Sequence, residues 1–121
     1  MIVTARRLFD GLGSGVLEDS ALVIRGDRIH WVGAAADLAA EPAEERLDLG
    51  DVTLLPGLID MHSHLRIIQG QGNLHQQMRD PDVAYVLHAL RHLQMNLRAG
   101  VTTMKTNGDR AFFDVQMREA I

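Results

Sequence analysis

Leu55-Pro56-Gly57-Leu58-Ile59-Asp60-Met61-His62-Ser63-His64-Leu65 is the stretch on which the reading of this chain turns. Pro56-Gly57 marks a corner, and residues 58–65 follow as a strand that begins apolar and ends polar. Side chains two apart on a strand share a face. Asp60, His62 and His64 are therefore expected on one side, and Ile59, Met61 and Leu65 on the other, toward a helix layer. Two imidazoles at that spacing can hold one divalent ion from one side. Imidazole suits zinc, iron, manganese or nickel, and a catalytic site keeps one position open for water. The ion would lower the pKa of that water toward neutrality and make hydroxide available for attack. Taken alone, a His-X-His pair is more often two solvated side chains met by chance, so its neighbours carry the weight.

Downstream, residues 66–80 contain Gly70, Gly72 and four Gln and read as an open loop. Asp80-Pro81 opens a helix: Asp can cap the free N–H groups and Pro suits the first helical position. Apolar residues at 83, 86, 87, 90, 93 and 97 fall on one face at helical spacing. Gly100 stands where a left-handed C-terminal cap is expected. Residues 101–105 form a second strand, β-branched at 101, 102 and 103. Asn107-Gly108-Asp109 turns the chain, and a second helix starts at about Phe112, with Phe113, Met117, Ala120 and Ile121 on one side.

Upstream, residues 2–8 are short and apolar-rich and end at the turn signal Asp10-Gly11. Residues 21–25 and 28–32 form a hairpin about Gly26-Asp27. Residues 34–45 are a polar, Ala- and Glu-rich connector with a helical turn over 35–40. Residues 46–49 and 52–55 are two further short strands. Residues 1–55 thus form a small β layer, and 56–121 supply strand, helix, strand and helix start, the opening of a β/α fold. In a β/α barrel the C-terminal rim, where His62 and His64 would stand, is where functional groups collect.

Composition narrows the alternatives. With 121 residues, 46% hydrophobic and 23% charged, the chain is of ordinary single-domain size and soluble character. A formal charge of -4 with scattered cations excludes a nucleic-acid surface, which needs a basic stripe. There is no Cys, so disulfides and thiolate ligands are excluded and any transition-metal site is built from His and carboxylates. No apolar run reaches the roughly 20 residues of a membrane span. The first ten residues do not read as a signal peptide. A cytoplasmic location is expected, with no membrane and no nucleic-acid partner.

The run 55–65 resembles the first-strand signature of the amidohydrolase superfamily. The hairpin over 22–33 and the strand Ala99-Gly100-Val101-Thr102-Thr103-Met104 are similar to the matching N-terminal segments of that family, in the same order. Phe113-Asp114-Val115-Gln116-Met117-Arg118-Glu119-Ala120-Ile121 looks like its second helix in the imidazolonepropionase-like and prolidase-like branch. The Arg-Asp pair that often follows Thr-Thr-Val in this branch is missing from Thr103-Met104-Lys105-Thr106-Asn107, which leaves the subfamily and substrate open.

The resemblance implies the start of a TIM-type (β/α)8 barrel preceded by a small N-terminal β-sandwich layer. It implies a metal-dependent hydrolase acting on a C–N bond (amide, cyclic amide or dipeptide) of a small-molecule substrate, with one or two divalent ions, zinc foremost. His62 and His64 match the first two metal ligands. The family's other ligands, a lysine, two histidines and an aspartate, sit on later strands and have no matching position here. Asp60 is either an acceptor that orients an imidazole, as ligating His usually needs, or a strand-base carboxylate paired to backbone.

Other histidines carry less. His88 and His92, four apart, could form a clip, but two ligands make a weak site and a solvated face is the better reading. His75 stands in the loop after the metal strand, as a surface side chain before a substrate contact. His30 is structural, and Lys105 is read as capping a neighbouring loop.

A complete barrel needs about 250 residues. The chain is therefore expected to be the N-terminal portion of a longer enzyme, inactive alone, with the rest of the barrel or a homo-oligomer completing the fold. The alternative is a small metal-binding or interaction module without catalysis.

Overall fold

The computed structural model describes residues 1–13, 15–38, 45–67, 75 and 79–120. They fall into two compact units, Met1–Pro56 and Gly57–Ile121.

The first unit is a five-stranded sheet built around β1 (Ile2–Leu8). It is buried on both faces, through Ile2 and Leu8 on one and Val3 and Ala5 on the other. β2 (Leu17–Arg25) pairs antiparallel with β1, from Ile2 opposite Val23 to Leu8 opposite Leu17. β3 (Arg28–Ala34) returns antiparallel along β2 through the Gly26-Asp27 turn, as the hairpin signal predicts. On the other side of β1 lie β4 (Arg46–Asp48) and β5 (Thr53–Leu54), both parallel to it. Between these short strands the ladder continues through Arg6 N–H to the Gly50 carbonyl and Arg7 N–H to the Val52 carbonyl, at 2.9 and 3.1 Å. Ser20 is fully buried and donates its hydroxyl to the Ala5 carbonyl at 3.0 Å, so the polar group costs little there. The expected helical turn is a 3₁₀ turn over Ala35–Asp37; residues 39 and 40 lie outside the described residues.

The second unit is a two-stranded parallel sheet with a helical crossover, so the chain is mixed α/β. Its elements are β6 (Leu58–Ser63), α1 (Asp82–Arg98), β7 (Val101–Thr106) and α2 (Phe113–Ala120). Leu58 pairs with Val101, Ile59 with Thr103, Asp60 with Met104 and Ser63 with Thr106. The expected loop over 66–80 lies largely outside the described residues, as does Ile121.

Gly57 is required by packing. A Cβ there would stand 2.0 Å from Thr102 Oγ1 and 2.3 Å from its Cγ2, so the Thr102 side chain occupies the space any other residue would fill. At the far end of the crossover, Gly100 has φ +92 and gives its N–H to the Leu97 carbonyl at 3.0 Å, closing α1 as its position predicts.

Three local expectations are corrected. Asp80 does not cap α1: the flanking residue is Pro81, without a side-chain cap, and the Asp80 carboxylate instead binds Arg66. The strand ends at Ser63, so His64 and Leu65 lie beyond it. Of the expected stripe at 83, 86, 87, 90, 93 and 97 on α1, Val86 and Leu93 are half-buried, but the other four positions do not face the core. Tyr85 and Ala89 are buried, while Val83, Leu87, Leu90 and Leu97 are exposed. The core under the helix consists of Leu65, Ala89 and Met117 with Leu93 against them.

Candidate functional site

The site is built at the end of β6. His62 is exposed on the strand, Ser63 is buried, and His64 is half-buried just past the strand end. Their rings stand with centroids 5.6 Å apart in an edge-on arrangement, with planes 64° apart. Two imidazoles on one tetrahedral zinc have centroids roughly 5 Å apart, from Zn–N distances of about 2.1 Å. The spacing of the pair is close to that of two imidazoles sharing one ion.

The nitrogen inventory agrees. His64 Nδ1 faces the Gly108 carbonyl at 3.4 Å, a long contact in which the ring nitrogen must be the donor. Nε2 is then the lone-pair nitrogen and the one available to an ion. Among the described residues no group of three or more His, Cys, Asp or Glu is arranged to hold a metal. The pair is a two-ligand set.

Asp60, half-buried, accepts the backbone N–H of His62 on Oδ1 at 3.0 Å. The pairing with β7 is irregular over the same stretch. From Asp60 to Ser63 the chain advances three residues, while β7 advances two, from Met104 to Thr106. A residue inserted into a ladder bends the strand and re-aims its side chains, a device common beside active sites. Strict alternation, on which the sequence reading relies, therefore does not govern Met61 and His62. Ile59 and Met61 are 62% and 63% exposed, and no helix of the described residues covers them as expected. Only Leu65 of the three reaches the helix layer.

The turn after β7 runs back alongside β6. Asn107 gives its N–H to the Ser63 carbonyl at 3.0 Å and its Nδ2 to the Met61 carbonyl at 3.4 Å. Asp109 accepts the Leu65 N–H at 3.5 Å through Oδ2 and the Tyr85 hydroxyl through Oδ1. Burial first, then the hydrogen bond and charge of Asp109, push the Tyr85 phenol well above its ordinary value. Arg110 lies over the Tyr85 ring at 4.9 Å and reaches Asp82 at 2.8 Å. Phe113 packs on Tyr85 at 5.3 Å between centroids. Ala111 and Phe112 have φ of 52 and 54, a left-handed conformation that non-glycine residues adopt only when their surroundings impose it.

Of the remaining sequence candidates, His88 and His75 are exposed. His92 is not on a solvated face: half-buried, it donates Nδ1–H to the Leu65 carbonyl at 3.0 Å. His30 is exposed on β3 and Lys105 on β7. Sequence reading passed over Tyr85, Asp109 and Arg110. The one available signal was the single Tyr of the chain, placed one turn after Pro81 in a helix whose apolar stripe does not include it.

The amidohydrolase family model matches residues 53–121. The imidazolonepropionase of Pseudomonas aeruginosa strain LESB58 is 51% identical over 49 residues, which are 40% of this chain and 12% of that enzyme. The imidazolonepropionase of Idiomarina loihiensis is 40% identical over 63 residues, 52% of this chain and 15% of that enzyme. A solved Xaa-Pro dipeptidase with methionine bound in its active site superposes with a TM-score of 0.82 at 27% identity. It covers 99% of this chain, which covers 29% of it. The chain therefore spans a minor part of the length of each relative. Among the described residues, no helix is long and apolar enough to cross a membrane.

Proposed function

This chain belongs to the amidohydrolase family, and from that premise we propose that it is the N-terminal part of a metal-dependent hydrolase cleaving a C–N bond in a small molecule. The observation that carries the reading is the His62–His64 pair at the end of β6, within the segment that matches the family. In this reading β6 and β7 are the first two strands of a (β/α)8 barrel, and the β1–β5 sheet is one layer of a β-sandwich. Residues 1–55 and 56–121 are then the two domain portions present.

His62 and His64 would hold a divalent ion, with zinc foremost for an all-imidazole pair. Bound there, the ion would supply Lewis-acid polarisation and activate water as a nucleophile. The chain's own residues orient the ligands. Asp60 fixes the backbone at His62, and the Gly108 carbonyl selects the His64 tautomer. With two ligands, the 121-residue chain is expected to bind metal weakly and not to turn over substrate. The names of its relatives point to a cyclic amide of the imidazolone kind or an Xaa-Pro dipeptide.

The test has two arms. Zinc binding to this chain is measured by chelator competition, with His62→Ala and His64→Ala against His88→Ala. Loss in the first two and retention in the third supports the ligand assignment; equal binding in all rejects it. The longer reading frame containing this sequence is then assayed, metal-loaded, on an imidazolone and on Xaa-Pro dipeptides. Turnover of either supports the reaction class, and no turnover on either rejects these substrate classes.

A further inference from the structure

His64 lies just past the end of β6. An imidazole past the end of its strand can rotate, and either nitrogen can carry the proton. The structure limits that choice with one contact, from Nδ1 to the Gly108 carbonyl. Gly108 lies in a turn with no regular secondary structure of its own, between β7 and the 3₁₀ turn Arg110–Phe112. Something must hold that carbonyl in place.

We propose that the Tyr85–Asp109 pair is a positioning device for His64. By clamping Asp109 to α1, Tyr85 fixes the neighbouring Gly108 carbonyl, which keeps the His64 proton on Nδ1 and presents Nε2 to the metal. The inference rests on the metal reading above and adds to it two residues that do not touch the ion.

Five observations converge on the pair. Asp109 is bound from two directions, by the Tyr85 hydroxyl and by the N–H of Leu65, the residue following His64. Tyr85 is itself buried, and its ring is packed by Phe113 on one side and Arg110 on the other. Arg110 is anchored in turn on Asp82, in the first turn of α1. The segment leaving the turn holds two successive non-glycine residues at positive φ, Ala111 and Phe112, a cost borne only where the surroundings over-determine the backbone. His64, Tyr85, Gly108, Asp109 and Arg110 line one small cleft together. Partners that orient ligating histidines through the other ring nitrogen commonly change metal affinity 10- to 100-fold when removed, and a partner one step further back is expected to have a smaller effect.

The test uses the 121-residue chain labelled with ¹⁵N. Tyr85→Phe keeps the ring, and with it the packing on Phe113 and Arg110, while removing the hydroxyl. Asp109→Ala removes the acceptor from the other end, and Asp109→Asn keeps an oxygen for Tyr85. In the metal-free chain, long-range ¹H–¹⁵N imidazole spectra report which His64 nitrogen carries hydrogen. Wild type and Asp109→Asn are expected to hold the Nδ1–H form. Tyr85→Phe and Asp109→Ala are expected to mix the two forms and to bind zinc roughly 3- to 30-fold more weakly, at unchanged far-UV circular dichroism. An unchanged tautomer in both disruptive variants, with zinc affinity within twofold of wild type, overturns the proposal. If wild type binds no zinc at all, the metal reading fails, while the tautomer comparison still decides this one.

Discussion

Asp60 Oδ1 accepts the backbone N–H of His62 at 3.0 Å, and β6 slips by one residue against β7 over the same stretch. An N–H captured by a side chain two residues earlier is lost to the strand ladder, since such local bonds compete with sheet pairing. Asp60→Ala is expected to free that N–H, relax the irregularity and turn His62 away from His64. Zinc affinity should fall roughly tenfold. Stability should change by less than about 1 kcal/mol, because the contact is partly solvated and water replaces it. Chelator competition and a urea titration on one protein preparation separate the two effects. Equal zinc affinity in Asp60→Ala would remove Asp60 from the site.

Gly57→Ala is expected to destabilise the second unit by about 1–3 kcal/mol, the usual cost of overpacking. The new Cβ would meet Thr102 side-chain atoms at 2.0 and 2.3 Å. Thr102→Ala should restore most of the loss in the double variant, because the two residues share one space and their effects cannot add. Thermal denaturation of the four proteins of the cycle checks it. Additive losses would mean that the backbone, and not the side chain, sets the requirement at 57.

Asp80 separates capping from ion pairing. Ser is as good a helix cap as Asp, but Asp80→Ser breaks the contact to Arg66, whose side chain is only 10% exposed. Removing Asp80 takes a close ion-pair partner from a largely buried guanidinium. A loss of about 2 kcal/mol is expected, against none if capping were the function of this carboxylate. Urea denaturation at neutral pH distinguishes the two.

Tyr85 predicts an alkaline limit. Its phenol is held above the ordinary value of 10.0, first by burial and then by Asp109. A folded-state pKa above the unfolded one contributes stability that is complete below pH 10 and is lost as pH rises beyond it. The sequence has one Tyr, so phenolate absorbance reports this group alone. It should appear only together with the loss of structure, and Tyr85→Phe should flatten the alkaline fall in stability. Ionisation near pH 10 in a chain that stays folded would contradict the packing around this ring.

The sequence carried the local half of the fold well. Gly26-Asp27 between two apolar runs marked the β2–β3 hairpin, and Gly100 marked the end of α1, because turns and caps are decided by the residues that make them. The parallel pairing of β4 and β5 with β1 was not legible. It joins residues more than forty apart through strands of three and two residues, too short to carry a pattern. The face that α1 buries was misread for a related reason: periodicity counts apolar side chains, while burial follows what lies beneath. Ala89 is buried because Leu65 and Met117 are under it, and Tyr85 because Phe113 and Arg110 pack on its ring. At the candidate site, His62 and His64 stood out through the run 55–65 around them, since a His-X-His pair alone decides little. Tyr85, Asp109 and the His92 contact to the Leu65 carbonyl did not, since each depends on a long-range meeting with the end of β6.

The slipped register also bears on protein engineering. Pasted into a regular strand of some other β/α scaffold, His-Ser-His would follow plain alternation and aim its two rings differently from this chain. A transplant that reproduces the 5.6 Å spacing has to bring Asp60 with it, and the companion strand Val101–Thr106 against which the extra residue is accommodated. The portable unit is the mismatched strand pair, and the tripeptide is its visible tip.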